Sequence, residues 1–234
     1  MDIQSQLMDF GLTRQEATLY VALVHEGKMT GYEASKISGI SKSNTYKALA
    51  GLVDKGASYI EEDTATRYLA VPIEEFCNNK IRYLKDRSEL LKKAMPQQRI
   101  EEIGYITIKG RNAICDKLRN MIGLANQRLY ISASSGSIKH LKVELSEALS
   151  KGLKVVIITD DKSIEKYLEG ATFYYVDKSD KEIRLIIDSS KVITGELSNE
   201  YSTCLYSGKS NLVSLFKDAL KNEITLIKMT GKSN

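Results

Sequence analysis

The amino-acid sequence predicts an α+β protein with three parts: a helical module ending in a β-hairpin, a long linking helix, and a C-terminal α/β domain with a mixed sheet. Three observations lead to this prediction. Thr-x-x-Glu signals start helices near the N-terminus, an apolar seam without Gly or Pro runs through the middle, and short apolar strands alternate with helices after residue 104. The 234 residues exceed one ordinary domain of roughly 100–200 residues. The expected domains are 1–71, 72–100 and 101–234.

The first module is expected to contain three short helices. In a capping box a Thr side chain accepts the backbone N–H three residues on, and a Glu at that position reaches back to the cap. The sequence holds two such pairs, Thr13 with Glu16 and Thr30 with Glu33. Apolar residues at helical spacing follow each pair, and Gly27 and Gly39 supply the stops. Ser41 is expected to cap a third helix over about 41–54.

A tight turn separates the second and third predicted helices. It reads Ser38-Gly39-Ile40-Ser41, with the small Ala34 at the expected helix crossing. Two short strands, 58–62 and 67–71, then form a hairpin in the position of a wing. The arrangement predicts a winged helix-turn-helix. A three-helix bundle with a hairpin and no DNA contact stays open as an alternative, because caps and periodicity specify an architecture and not a ligand.

The net charge of this module does not favour DNA binding, but the charge of one stretch within it does. The whole chain has a formal net charge of +4, but residues 1–71 hold seven Lys and Arg against nine Asp and Glu, a net of −2. From Ala34 to Val53 there is no acidic residue, whereas Lys36, Lys42 and Lys47 lie in that stretch. The acid-free stretch is therefore the predicted contact with a polyanion.

The outer face of the third helix supplies the candidate DNA contacts. Ser43, Asn44 and Lys47 are assigned to base edges, Lys42 to phosphate or base, and Arg67 of the wing to phosphate. For each residue alone, a solvated polar side chain on an exposed face is an equal alternative. The wing tip carries three carboxylates, Glu61, Glu62 and Asp63, which phosphates repel. The wing is therefore expected to enter the groove only shallowly, and the predicted partner is double-stranded DNA.

A linking helix is predicted from Pro72 to about Met95. Apolar positions recur alternately four and three residues apart, as in a coiled coil. The seam comprises Cys77, Ile81, Leu84, Ser88, Leu91 and Met95, widened by Phe76, Tyr83 and Leu90. We expect this helix to pair with the same helix of a second copy, so that the chain forms a homodimer. The pairing would place two recognition helices on two half-sites about one DNA turn apart. The alternative is that the seam packs on the C-terminal domain of its own chain.

The C-terminal domain is expected to alternate strands and helices. Predicted strands are 105–108, 129–133, 154–159, 172–176, 183–187, 191–194 and 203–206, and predicted helices are 111–126, 138–150 and 211–222. Ligands of such sheets sit where strands end beside helix N-termini. Candidate effector residues there are Ser132, Ser134, Ser135, Asp160 and Asp161, suited to a polyhydroxy or anionic small molecule. Ser, Gly and Asp are also ordinary loop residues, so the alternative is a loop that binds no ligand.

Catalytic and metal-binding patterns are missing from the sequence. His25 and His140 lie in different modules without a nucleophile or metal ligand at diagnostic spacing, and no phosphate-binding glycine loop occurs. The odd cysteines, Cys77, Cys115 and Cys204, are expected to be reduced and packed. Neither a signal peptide nor a membrane span is recognisable. We therefore expect a cytoplasmic protein without catalytic activity, cofactor, metal or membrane partner.

Several segments, taken in order, resemble the TrmB-like transcriptional regulators. They are Phe10-Gly11-Leu12-Thr13-Arg14-Gln15-Glu16-Ala17, the Tyr46-x-x-Leu49-x-x-Leu52 pattern before Lys55-Gly56, the exit Arg67-Tyr68-Leu69-Ala70-Val71-Pro72, and Ile108-Lys109-Gly110. Each motif is modest alone, but together they cover nearly the whole chain in the expected order. The resemblance implies a C-terminal regulatory domain similar to the phospholipase D fold.

The resemblance also bears on catalysis and on the effector. Phospholipase D chemistry uses a histidine in an H-x-K pattern ahead of an aspartate, and the equivalent segment here, 181–188, keeps Asp188 but has no histidine. Hydrolysis is therefore not expected, although a phosphodiesterase with a winged helix and a protein-binding winged helix stay open as alternatives. Sugar-responsive members carry a further C-terminal sugar-binding region. The sequence ends at Asn234, before such a region, so a sugar effector is not implied.

Overall fold

The computed structural model describes residues 2–62, 65–96, 104–179 and 181–230. Its contacts divide the chain into two compact units, Met1–Gln98 and Arg99–Asn234. Within the described residues, none of the helices combines the length and the apolar character that crossing a membrane requires.

The N-terminal unit is a winged helix-turn-helix, as predicted. Its helices are α1 (Ile3–Asp9), α2 (Arg14–Glu26), α3 (Gly31–Ser38) and α4 (Lys42–Asp54), and its strands are β1 (Met29–Thr30), β2 (Ser58–Glu62) and β3 (Thr66–Ala70). The strands pair antiparallel in the order β1-β3-β2, so the predicted hairpin gains a third, short strand. Helix α1 was not predicted, and it buries only Leu7.

The caps explain where these helices begin. Both predicted capping boxes are present, at Thr13 with Glu16 and at Thr30 with Glu33. Ser41 occupies the N-cap position of α4, but the prediction that its side chain caps the helix is wrong, because it makes no capping hydrogen bond. The buried Thr45 hydroxyl instead donates to the carbonyl groups of Ile40 and Ser41, at 3.2 and 3.1 Å, and closes the turn from inside.

The core of this unit is formed by the inner faces of α2, α3 and α4. Leu19, Leu23, Leu49 and Leu52 are fully buried, and Ala34 lies in the same cluster as expected. Some apolar residues at helical spacing are exposed instead: Val24 is 59%, Ile37 52% and Tyr46 50% exposed. The spacing alone did not show that a three-helix core this small buries only a narrow stripe of each helix.

The long helix α5 (Ile73–Ala94) follows Pro72 and confirms the linking helix in type and position. Phe76 is buried in the core of the N-terminal unit, where its ring lies 6.0 Å from that of Tyr20. Cys77 is half-buried against the same core, and from Ile81 onward the predicted seam is exposed: Leu84 is 54%, Leu91 62% and Met95 67% exposed.

The C-terminal unit is built on one mixed sheet. Its strands are β4 (Tyr105–Lys109), β5 (Arg128–Ala133), β6 (Lys154–Thr159), β7 (Thr172–Tyr175), β8 (Glu182–Ile187), β9 (Lys191–Glu196) and β10 (Thr203–Ser207). Among the described residues these strands are ordered β4-β10-β9-β8-β5-β6-β7. Strands β5, β6 and β7 pair parallel and the other neighbours antiparallel, which confirms the predicted mixed sheet.

Helices cover both faces of this sheet. One face, with Leu129, Ile157 and Leu185, packs with α6 (Arg111–Leu124), α7 (Ser135–Lys139) and α8 (Lys142–Ser150). The other face packs with α9 (Ser210–Met229). The single predicted helix 138–150 is wrong, since His140 and Leu141 separate α7 from α8, and α9 runs seven residues beyond its predicted end at 222.

Candidate nucleic-acid interface

Helix α4 has one buried and one exposed face. Thr45, Ala48, Leu49 and Leu52 point into the core. Each of the four helix residues proposed for DNA contact, Lys42, Ser43, Asn44 and Lys47, is exposed. Ser43 and Lys47 are one turn apart on the outermost line of the helix, and Asn44 flanks them. Asp54 continues the same line at the C-terminal end, so the acid-free surface is confined to the first three turns.

The N-terminus of α4 is open to an anion. The Ser41 hydroxyl makes no capping hydrogen bond, and the first turn holds no acidic residue. Among the described residues, no side chain accepts a hydrogen bond from the backbone N–H groups of Lys42, Ser43 or Asn44. Unpaired N–H groups and the positive end of the helix dipole together attract phosphate.

Two tyrosines beside this surface were missed by the sequence reasoning. The Lys42 ammonium lies 4.7 Å from the centre of the Tyr32 ring, and this contact steadies it near the start of α4. The ring of Tyr46 covers Gly31, where an added Cβ would come within 2.5 Å of it. The sequence does carry a signal for Tyr46, namely its place between Lys42 and Lys47, because aromatic residues interleaved with lysines are typical of surfaces that bind nucleic acid.

The wing carries compensated charges. Lys28 forms an ion pair with Glu61, so the wing carries less net negative charge than its sequence suggests. Arg67 lies opposite Glu61 in the β2–β3 ladder and is half-buried. The backbone N–H of Thr30 lowers the pKa of Glu33, and the charge of Arg67 lowers it further. Arg67 therefore faces carboxylates already, and Asp63 lies outside the described residues.

A partly buried ion pair fixes α4 against α2. One Glu16 oxygen accepts from the Thr13 backbone N–H at 2.6 Å and from the Lys55 ammonium at 2.5 Å, and Lys55 also donates to the Gly11 carbonyl at 2.9 Å. Burial raises the pKa of Glu16, but the bonds to Lys55 and Thr13 outweigh burial, and the net pKa is lowered. Gly51 leaves room for this carboxylate, since an added Cβ would lie 2.2 Å from it. The sequence showed the cap but not the bond to Lys55, which is 39 residues away.

Three of the five predicted effector residues make internal hydrogen bonds through their side chains. Ser134 caps α7, Asp161 caps a 3-10 turn at Lys162–Tyr167, and the Ser135 backbone N–H donates to Asp160 at 2.7 Å. Ser132 and Ser134 are buried. The structure thus brings Ser135 and Asp160 together, while an effector site at these residues stays a prediction.

Groups with catalytic potential hold structural positions. Asp188 accepts hydrogen bonds from the backbone N–H groups of residues 126, 127 and 128 at 2.8 to 2.9 Å, so this aspartate anchors a loop. His140 contacts Arg111 at 3.2 Å, and His25 bonds the neighbouring Glu26. Burial raises the pKa of the Cys204 thiol to about 11. Among the described residues, His, Cys, Asp and Glu form no cluster of three that could hold a metal ion.

Comparison with known families places both units in one family of regulators. The family model described as "Sugar-specific transcriptional regulator TrmB" matches residues 7–74. The model described as "Transcriptional regulator TrmB, EBD N-terminal subdomain" matches residues 104–220, half of the chain. The two matches cover the winged unit and the mixed sheet in turn.

Individual relatives agree with these matches. The Bacillus subtilis protein YrhO, itself uncharacterised, is 29% identical over 157 residues, which are 65% of this chain and 56% of that protein. The Thermococcus kodakarensis protein TrmBL2, named a DNA-binding HTH-type transcriptional repressor, is 27% identical over 76% of this chain and 74% of its own length. The solved structure of TrmBL2, titled an archaeal chromatin protein, is 20% identical with a TM-score of 0.46 over 94% of this chain and 96% of that one. The chain thus spans little more than half the length of the Bacillus relative.

Proposed function

We propose, on the premise that this chain belongs to the TrmB family of transcriptional regulators, that it binds double-stranded DNA through α4 and regulates transcription as a homodimer. The observation that carries the proposal is the exposed, acid-free outer face of α4 beside an uncapped helix N-terminus. In this proposal residues 1–71 bind DNA, 72–100 pair two copies, and 101–234 receive a regulatory signal.

Each proposed contact follows from its position. Ser43, Asn44 and Lys47 lie on the part of α4 that would enter the major groove, where Asn pairs with adenine and Lys with guanine. Lys42, held over Tyr32 at the helix start, suits phosphate. Arg67 is the weakest contact, because carboxylates already face it.

Selection of bound sequences from a random DNA pool, followed by affinity measurements on the selected duplex, tests this proposal. Asn44→Ala is expected to cost about 1–3 kcal/mol of binding free energy and to relax the preference at one base pair. Lys47→Ala is expected to weaken binding and to relax the preference for guanine at one base pair. Arg14→Ala removes an exposed charge from α2 instead, and is expected to leave binding unchanged. Unaltered affinity in both α4 variants, or no enriched sequence at all, contradicts the proposal and favours a protein-binding winged helix.

The homodimer is proposed from the exposed seam of α5. Ile81, Leu84 and Leu91 share one side of a helix that is about 33 Å long at 1.5 Å per residue, and their exposure is costly without a partner. Light scattering is expected to give the mass of a dimer for the intact chain and of a monomer for Leu84→Glu with Leu91→Glu. Val24→Glu, at an exposed apolar position on α2, serves as the control and should remain dimeric. A dimeric seam variant would exclude α5 as the interface.

A further inference from the structure

A groove lies beside α9 on one face of the large sheet. Val213, Leu220 and Ile227 bury α9 against that face, and the helix packs on β7, β8 and β9. Residues of β5 and β6 on the same face, namely Tyr130, Lys154 and Val156, line a space beside the helix with a volume of about 590 Å³. Small-molecule sites in proteins have volumes of about 300–1,000 Å³.

The floor of the groove is apolar and aromatic. Tyr130 of β5 and Tyr174 of β7 are half-buried there, with Val156 of β6 between their strands. Ile224 of α9 closes the helix side. A flat apolar group is therefore the shape and chemistry that the floor accommodates, because tyrosine rings offer large rigid surfaces at a low entropic cost.

The rim of the groove is basic. Four lysines line it, namely Lys154 at the start of β6 and Lys217, Lys221 and Lys228 along one flank of α9. Asp218 is the one acidic residue among the described residues that line the groove. Within the described part of the chain none of these lysines forms an ion pair, and the Lys228 ammonium lies 5.5 Å from the centre of the Tyr174 ring.

On the opposite flank of α9, the charged residue Glu223 is paired within the fold. There Glu223 is matched by Lys178 and also approached by Arg184 at 3.7 Å. Glu223 is thus paired within the fold, whereas the lysines on the other flank outnumber the nearby Asp218 and, in the described part of the chain, form no ion pair. Uncompensated lysines converging on a concave apolar floor are a binding arrangement rather than a solubilising one, because solubility does not require a shared cavity.

We propose that this groove binds a small organic anion with an apolar, preferably aromatic, body: the body packs on Tyr130 and Tyr174, and the carboxylate, sulfonate or phosphate pairs with Lys217 and Lys221. The inference extends the proposed function by giving the C-terminal unit a ligand class. It rests on that unit alone, so its test needs no DNA and its failure is distinguishable from failure of DNA binding.

The test is a fluorescence titration of the full chain with anilinonaphthalenesulfonate, an aromatic anion. Saturable binding is expected, and Lys217→Gln with Lys221→Gln is expected to weaken it about tenfold. Lys151→Gln, an exposed lysine outside the groove, is the matched control and should bind the dye as the unaltered chain does. Both substituted lysines of α9 are exposed, so circular dichroism is expected to show an unchanged fold.

A second probe separates charge from apolar affinity. Phenylnaphthylamine has the same aromatic body without the sulfonate, and it is expected to bind the unaltered chain about tenfold more weakly and to be indifferent to the lysine changes. Equal binding of the two probes, or unchanged dye affinity in the double variant, overturns the proposal.

Discussion

The N-terminus of α2 is capped by side chains and that of α4 is not, although the sequence places a capping residue before both helices. At α2 the Thr13 hydroxyl and the Glu16 carboxylate complete a capping box, and Glu16 is further held by Lys55. At α4 the Ser41 hydroxyl makes no capping bond and the first turn contains no acidic residue. The difference indicates that α2 uses its terminus for stability, whereas α4 keeps its N–H groups available for an external anion.

Helix α3 extends this comparison. It has a full capping box, but its Glu33 is exposed, whereas Glu16 is only 6% exposed as a residue. The three helices thus range from a buried, ion-paired cap through an exposed cap to none. Changes at the caps are therefore expected to alter stability at α2 and DNA binding at α4.

The largest effect is expected at the buried cap. Glu16→Gln removes the charge that pairs with Lys55 and is expected to lower the free energy of unfolding of the N-terminal unit by about 2 kcal/mol, less than a fully buried pair because Lys55 is one-third exposed. Urea denaturation followed by circular dichroism measures this change. Glu26→Gln, at an exposed carboxylate that bonds the adjacent exposed His25, is the control and should have little effect.

The effect of Glu16 should also depend on pH. Because the pKa of Glu16 is lowered in the folded chain, its contribution is fully present above the ordinary pKa of a glutamate and is lost as the pH falls through the lowered value. The difference in unfolding free energy between the unaltered chain and Glu16→Gln should therefore shrink on acidification. A difference that stays constant down to the acid transition would show that the ion pair does not stabilise the fold.

The sequence predicted most of the elements because their signals are local. Capping boxes, alternating strands and a seam without Gly or Pro lie within a few residues of each other, and they correctly indicated the winged helix, α5 and the mixed sheet. The break at His140 was missed because no Gly or Pro marks it and both flanking segments have helical spacing.

The candidate sites depended on contacts that no local pattern records. The exposed face of α4 could be predicted from periodicity and the absence of acidic residues. Three features depend on residues that are distant in sequence, so only the tertiary structure shows them. They are the Glu16–Lys55 bond, the partly exposed position of Tyr46, and the groove that lysines line beside α9. Likewise, Ser134 and Asp161 suited a ligand by composition, yet their side chains cap helical turns.

A carboxylate at the N-cap position of α4 should cap this helix, as side chains cap α2. Ser41→Asp supplies an acceptor for the first-turn N–H groups and a negative charge where phosphate would sit, so DNA affinity is expected to fall about tenfold while the free energy of unfolding stays equal or rises. Fluorescence anisotropy with the selected duplex measures the affinity. Ser41→Ala is the matched control, and little change in stability is expected because the native hydroxyl makes no capping bond. Equal DNA affinity of Ser41→Asp and the unaltered chain would mean that the open terminus does not bind phosphate.

The smallest effect is expected at the intermediate cap of α3. Glu33→Gln keeps an acceptor for the Thr30 backbone N–H but removes the charge that attracts Arg67, so its effect on stability should be smaller than that of Glu16→Gln. With one carboxylate fewer near the wing, Arg67 is freer to meet phosphate, and DNA affinity is expected to rise about twofold. The rise should disappear when Arg67→Ala is added, since both changes act on one contact. An increase that persists in the double variant would assign the gain to general repulsion between Glu33 and DNA, and would remove Arg67 from the proposed interface.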